Sequence, residues 1–118
     1  MPEPKKEKTA PPADQVLDGQ CQAVINVAEN AVVSWFLMAS FLYYIHDISI
    51  LSDPFYDQLT KRFLNDYDRL THPHKELITK DDLAAGTLYN LRADQYPGMT
   101  KGAAARLALT ATGIRLPY

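Results

Sequence analysis

The chain has a single cysteine, Cys21, among 118 residues, and one thiol excludes both an intramolecular disulfide and a cysteine-based zinc site. That usage fits a reducing compartment, with Cys21 serving as a small apolar residue on a helix. Glycine is scarce as well, with five in all. The run Gly98-Met99-Thr100-Lys101-Gly102 lacks both the glycine spacing before its lysine and the hydroxyl residue after it that a phosphate-binding loop requires. Charge of either sign is not in surplus: the formal net charge is -2 and the pI ≈ 5.8, which argues against a protein whose main task is coating nucleic acid. No strand-like alternation and no internal repeat stands out. The N-terminus, MPEPKKEKTAPPAD, is followed by no apolar run with a small-residue cleavage site, so it does not read as a secretory signal. The longest charge-free run, Ala31 to Ile45, has fifteen residues, short of the ~20 that span a bilayer as a helix.

What is present points to an all-α fold of three to five helices. A chain of this length suits one domain and buries roughly two thirds of the surface exposed by its unfolded form. Four prolines before Asp14, interleaved with Lys and Glu, leave too little apolar surface to offset ordering entropy, so residues 1–13 read as a flexible Pro-rich arm. A helical domain is expected over 14–95 and a C-terminal docking segment over 96–118. From Gln15 apolar residues recur every three or four positions, with Asp18-Gly19 as a break between a short lead helix and a long one. The long helix is apolar on two sides: Trp35, Met38 and Leu42 form one stripe, and Leu37, Phe41 and Tyr44 another. One helix hairpin cannot cover both, so either the C-terminal third or a second subunit must cover the rest.

A further helix starts near Asp53, read as its cap, with Pro54 at the first helical position and Asp57 at the positive end of the dipole. Tyr56, Leu59, Phe63, Tyr67 and Leu70 form its inner face, and Thr71-His72-Pro73 ends it. His72, His74 and Glu76 read as a helix terminus with cations near the dipole rather than as a metal site. Lys80 to Leu91 is expected to hold a short helix with Leu83, Leu88 and Leu91 inward, and a last helix runs from a Thr100 cap to a Gly113 stop. Ser34, Ser40 and Ser52 lie in no nucleophile motif.

Tyr43-Tyr44, Asp47, Ser52-Asp53, Tyr56-Asp57 and His72-Pro73 followed by Glu76-Leu77-Ile78 resemble, in order and near spacing, the small N-terminal helical domain of NAD-dependent bacterial DNA ligases. The resemblance covers Phe41 to Thr79, about a third of the chain, with His74-Lys75 as an insertion and Pro54-Phe55 as a departure. It implies that Tyr43, Tyr44, Asp53, Tyr56 and Asp57 would bind the nicotinamide mononucleotide half of NAD. Such residues suit that ligand: tyrosine faces stack on a flat cationic ring, and carboxylates complement its charge and accept bonds from ribose hydroxyls. Three of them also have a purely structural reading, Asp53 as cap, Asp57 as first-turn acid and Tyr56 as core. The Lys-x-Asp-Gly tetrapeptide of the ligase nucleotidyltransferase domain does not occur.

No catalytic residue and no required cofactor follow from this sequence. The expected function is a non-catalytic interaction or assembly module, binding other protein chains through the Trp35, Met38 and Leu42 face and through both tails. Such a fragment suits a bacteriophage virion or neck component in the host cytoplasm. The rival is a nicotinamide-nucleotide-binding subunit of a split NAD-dependent ligase, or a free binder of NAD or its mononucleotide. Lys101, Arg106 and Arg115 lie in a C-terminal stretch without acids, open to nucleic acid but better suited to protein docking.

Overall fold

The computed structural model describes residues 16–118 apart from 87 and 89; the arm expected over 1–13 lies outside the described residues. Five α-helices follow in order: α1 (Asp18–Val27), α2 (Ala31–His46), α3 (Asp53–Asp66), α4 (Lys80–Ala85) and α5 (Gly98–Thr112). Single 3-10 turns lie at Lys75–Leu77 and Ala93–Gln95. No strand forms among the described residues, where Ile48 holds only an isolated bridge position. The all-α architecture expected from the periodicity is what the chain adopts.

α2 is the axis of the molecule. Val32, Val33, Phe36, Leu37, Phe41 and Leu42 are all fully buried, as a helix apolar around its circumference must be. α1 and α3 flank it, and α5 packs against it more extensively than any other element. The second apolar stripe is therefore covered by the C-terminal third of the same chain, one of the two alternatives left open by the sequence. Trp35, Met38 and Leu42, expected to face other chains, are 5%, 9% and 0% exposed. Tyr96, Ala104, Ala108 and Ala111 of the segment 96–118 join the same core cluster as α2.

Helix boundaries differ from expectation in five places. The break between the first two helices falls at Ala28–Asn30 rather than at Asp18-Gly19. Asp18 instead opens α1, and its carboxylate accepts from the amide and the hydroxyl of Ser52 at 2.9 and 2.6 Å. Ser52, not Asp53, caps α3: its Oγ accepts from the Phe55 amide at 3.3 Å, and Pro54 stays within the first turn. α3 stops at Asp66, short of Thr71. α4 ends at Ala85 because Gly86 takes a left-handed φ of 75°, although Leu88 and Leu91 are buried as expected. Pro97 rather than Thr100 precedes α5, and Thr100 is 7% exposed within it. The Gly113 stop is as expected, with φ 79° and its amide donating to the Leu109 carbonyl at 2.9 Å.

The corner after α3 behaves as a cation-capped helix end. Lys75 Nζ donates to the carbonyls of Tyr67 and Leu70, each at 3.0 Å, and sits 4.7 Å from the Tyr67 ring centroid. Thr79 and Asp82 then form a capping box that starts α4.

Candidate functional site

The hairpin of α2 and α3 holds the residues expected to bind a nucleotide, and it divides them. Tyr56 is fully buried; its ring stacks on Phe36 at 5.3 Å and its hydroxyl lies 2.6 Å from Ser40 Oγ. Tyr43 is 2% exposed, with its ring edge-on to Tyr44 at 4.9 Å, and Tyr44 is half-buried. Asp53 and Asp57 are exposed on the outer side of α3. Asp57 lines an open cleft of about 320 Å³ between α3 and α4, with Thr60, Lys61, Leu64, Leu83, Ala84 and Gly86. The expected set is thus split between an interior tyrosine cluster and two surface carboxylates. The faces of Tyr43 and Tyr56 are not open to stack on a ligand.

The interior cluster has a member missing from the expected set. Tyr96 was read only as part of a Tyr96-Pro97-Gly98 turn, yet it is 2% exposed, with its ring 5.0 Å from Phe41. Its hydroxyl has no hydrogen-bond partner among the described residues. Burial pushes the Tyr96 and Tyr56 phenols well above their ordinary values. Tyr44 raises both further, and Tyr96 adds to the effect on Tyr56, while the Ser40 bond pulls Tyr56 partly back. Phenols so raised stay protonated at neutral pH and serve as architecture, not as bases. The signal available in the sequence was an aromatic beside Pro-Gly, where a turn otherwise favours small polar residues.

A second arrangement looks catalytic at first sight. Ser34 Oγ lies 2.9 Å from His72 Nε2, at the edge of a groove of about 350 Å³ lined also by Met38, Pro73, His74, Met99 and Thr100. However, His72 Nδ1 accepts from the His74 amide at 3.0 Å. In neutral imidazole the proton is then on Nε2, which donates to Ser34 rather than drawing a proton from it. Burial, with a smaller contribution from His74, holds the His72 pKa below its ordinary value, so the neutral form prevails. The pair ties the corner after α3 to α2 and does not activate a nucleophile.

The remaining reactive groups are equally quiet. The Cys21 thiol is fully buried and burial, aided by Asp18, pushes its pKa up to about 12, which leaves no thiolate to react. No group of three or more His, Cys, Asp or Glu side chains able to hold a metal occurs among the described residues. No helix of the described residues is long and apolar enough to cross a membrane.

Charge is distributed unevenly. Four cations between the start of α3 and Arg92 meet carboxylates: Arg62 with Asp66 at 3.8 Å, Arg69 with Glu29 at 2.9 Å and Asp66 at 3.1 Å, Lys80 with Asp68 at 2.9 Å, and Arg92 with Asp94 at 3.3 Å. Beyond Asp94 no acid occurs, and Lys101, Arg106 and Arg115 form no ion pair among the described residues. Arg106 and Arg115 are both exposed. In comparison with known proteins, no family model, no curated protein and no solved structure matches this chain.

Proposed function

We propose that the chain is a non-catalytic protein-interaction module, a helical domain built on a ligase-like hairpin, and that its working surface is the cationic outer side of its C-terminal segment. One observation carries this reading: the cations of residues 95–118 have no carboxylate partner among the described residues, whereas Arg62, Arg69, Lys80 and Arg92 each have one. Beside Arg106 and Arg115 stand exposed apolar side chains, with Leu109 at 38% and Tyr118 at 49% exposure. Unpaired cations beside accessible apolar surface suit a complementary acidic and apolar partner. The buried phenols, the inert thiol and the non-activated Ser34 favour binding over chemistry.

The nucleotide-binding alternative needs aromatic faces that the core already uses. Calorimetry with nicotinamide mononucleotide, together with size exclusion and light scattering on the same sample, separates the two. The interaction reading expects no saturable heat with the mononucleotide, and a mass above 13.3 kDa when a partner chain or a second copy is bound. Saturable mononucleotide binding that disappears in Asp57→Asn, with a strict monomer, overturns it in favour of a nucleotide-handling subunit.

A further inference from the structure

The C-terminal cations are organised around a cleft. Ala105, Arg106 and Leu109 of α5 form one wall, and Arg115, Leu116 and Tyr118 form the other, enclosing about 90 Å³. The second wall is held in place. Gly113 reverses the chain in a left-handed conformation at the end of α5. The Tyr118 ring packs edge-on to Phe41 at 5.4 Å, and its hydroxyl lies 3.0 Å from His46 Nε2. Lys101 Nζ stands 5.9 Å from the same ring. Two exposed guanidinium groups without ion pairs among the described residues therefore flank an apolar floor sized for one side chain.

We propose that this cleft receives a short acidic segment of a partner protein, with one apolar side chain in the cleft and carboxylates on Arg106 and Arg115. The proposal rests on the interaction reading above and names its partner class. Planar guanidinium groups match carboxylates bidentately, and an apolar side chain between them gains from removal from water. The apolar floor has nothing to offer a phosphate backbone. Residues 16–94 hold eleven acids against six cations, so a long polyanion lying across the molecule meets net repulsion. In a short segment the carboxylates next to the seated side chain lie within a Debye length, about 8 Å at physiological salt, of the Arg pair and feel mainly those cations.

The test is fluorescence anisotropy of a labelled acidic octapeptide with one central phenylalanine, titrated with the full chain at low and at physiological salt. Saturable binding is expected, weakened about tenfold or more by Arg106→Glu combined with Arg115→Glu, and about threefold or more when the phenylalanine is replaced by alanine. Because both arginines are exposed, the double variant keeps its helical circular dichroism and melting temperature, which are recorded alongside. Absence of saturable binding overturns the proposal, as does unchanged affinity in the double variant. Tighter binding of a twelve-thymidine oligonucleotide than of the peptide, lost in the same variant, also overturns it and makes the cleft a nucleic-acid contact. If light scattering shows complexes that survive the double substitution while the peptide fails to bind, this cleft is wrong and the broader interaction reading stands.

Discussion

Helices α3 and α5 pack against α2 by opposite means. α3 meets it through rings: Phe36 stacks on Tyr56 and lies edge-on to Phe63 at 5.5 Å, and Phe63 stacks on Tyr67 at 5.8 Å. α5 meets it through small side chains, with Ala104, Ala108 and Ala111 buried and Met38 of α2 beside Thr100 and Ala103. Large interlocking rings concentrate stabilisation in a few side chains, each making many contacts. Alanine instead lets two backbones approach closely at little entropic cost, and spreads the contact thinly over many positions. One side is therefore sensitive to deletion, the other to addition.

The largest effect is expected from Phe36→Ala, which empties the centre of the ring cluster. It should cost about 3–5 kcal/mol of unfolding free energy, read from the midpoint in urea. A loss below about 1.5 kcal/mol would mean that the α2 to α3 contact is not close-packed. Ala108→Leu probes the other side by overfilling it, and should cost about 1–3 kcal/mol. A neutral or stabilising outcome would show slack between α2 and α5, and the contrast between the two faces would fail. Ala108→Gly, which deletes one buried methyl, should cost about 1–2 kcal/mol through helix propensity and the lost contact.

Tyr56→Phe keeps the ring and deletes the bond to Ser40. A net loss of about 1 kcal/mol is expected, because the buried Ser40 hydroxyl can turn to a carbonyl of its own helix. If the loss approaches that of Phe36→Ala, the buried tyrosine cluster, not ring packing, carries this face.

The α3 side of this comparison was largely legible in the sequence and the α5 side was not. The spacing of Tyr56, Leu59 and Phe63 marks a buried stripe because large apolar residues at helical period have few other uses. Alanines carry no such mark, since Ala104 and Ala108 suit an exposed helix as well as a buried one. For the same reason the sequence left open whether a second chain or the C-terminal third covers α2. The choice of Ser52 over Asp53 as cap was hidden as well, because it depends on Asp18, remote in sequence, reaching the Ser52 amide and hydroxyl. Tyr44, Asp53 and Asp57 show the limit for the site. Their order and spacing could be read, but which of them shares a surface depends on where Tyr96 is buried, and that depends on α5.

The smallest effect separates two histidines that pin the two sides of α2. His72 ties the corner after α3 to Ser34, and His46 meets Tyr118 of the C-terminal segment. Burial lowers both pKa values below the ordinary 6.5; His74 lowers His72 further, whereas Asp47 partly restores His46. For a histidine so lowered, folding favours the neutral ring. Its contribution is complete above pH 6.5 and is lost as the pH falls from there through the folded-state pKa, where the unfolded chain binds the extra proton first. The geometry makes the loss unequal. A protonated His72 would turn an N–H at Nδ1 toward the His74 amide that now donates to it, two donors facing each other, whereas a protonated His46 can still donate to the Tyr118 hydroxyl. Melting temperatures between pH 7.5 and about pH 5 should therefore fall less steeply in His72→Gln than in the parent chain, and His46→Gln should stay closer to the parent slope. Parallel slopes for all three would show that neither ring is held neutral by its contacts, and that the two sides of α2 do not differ in their response to acid.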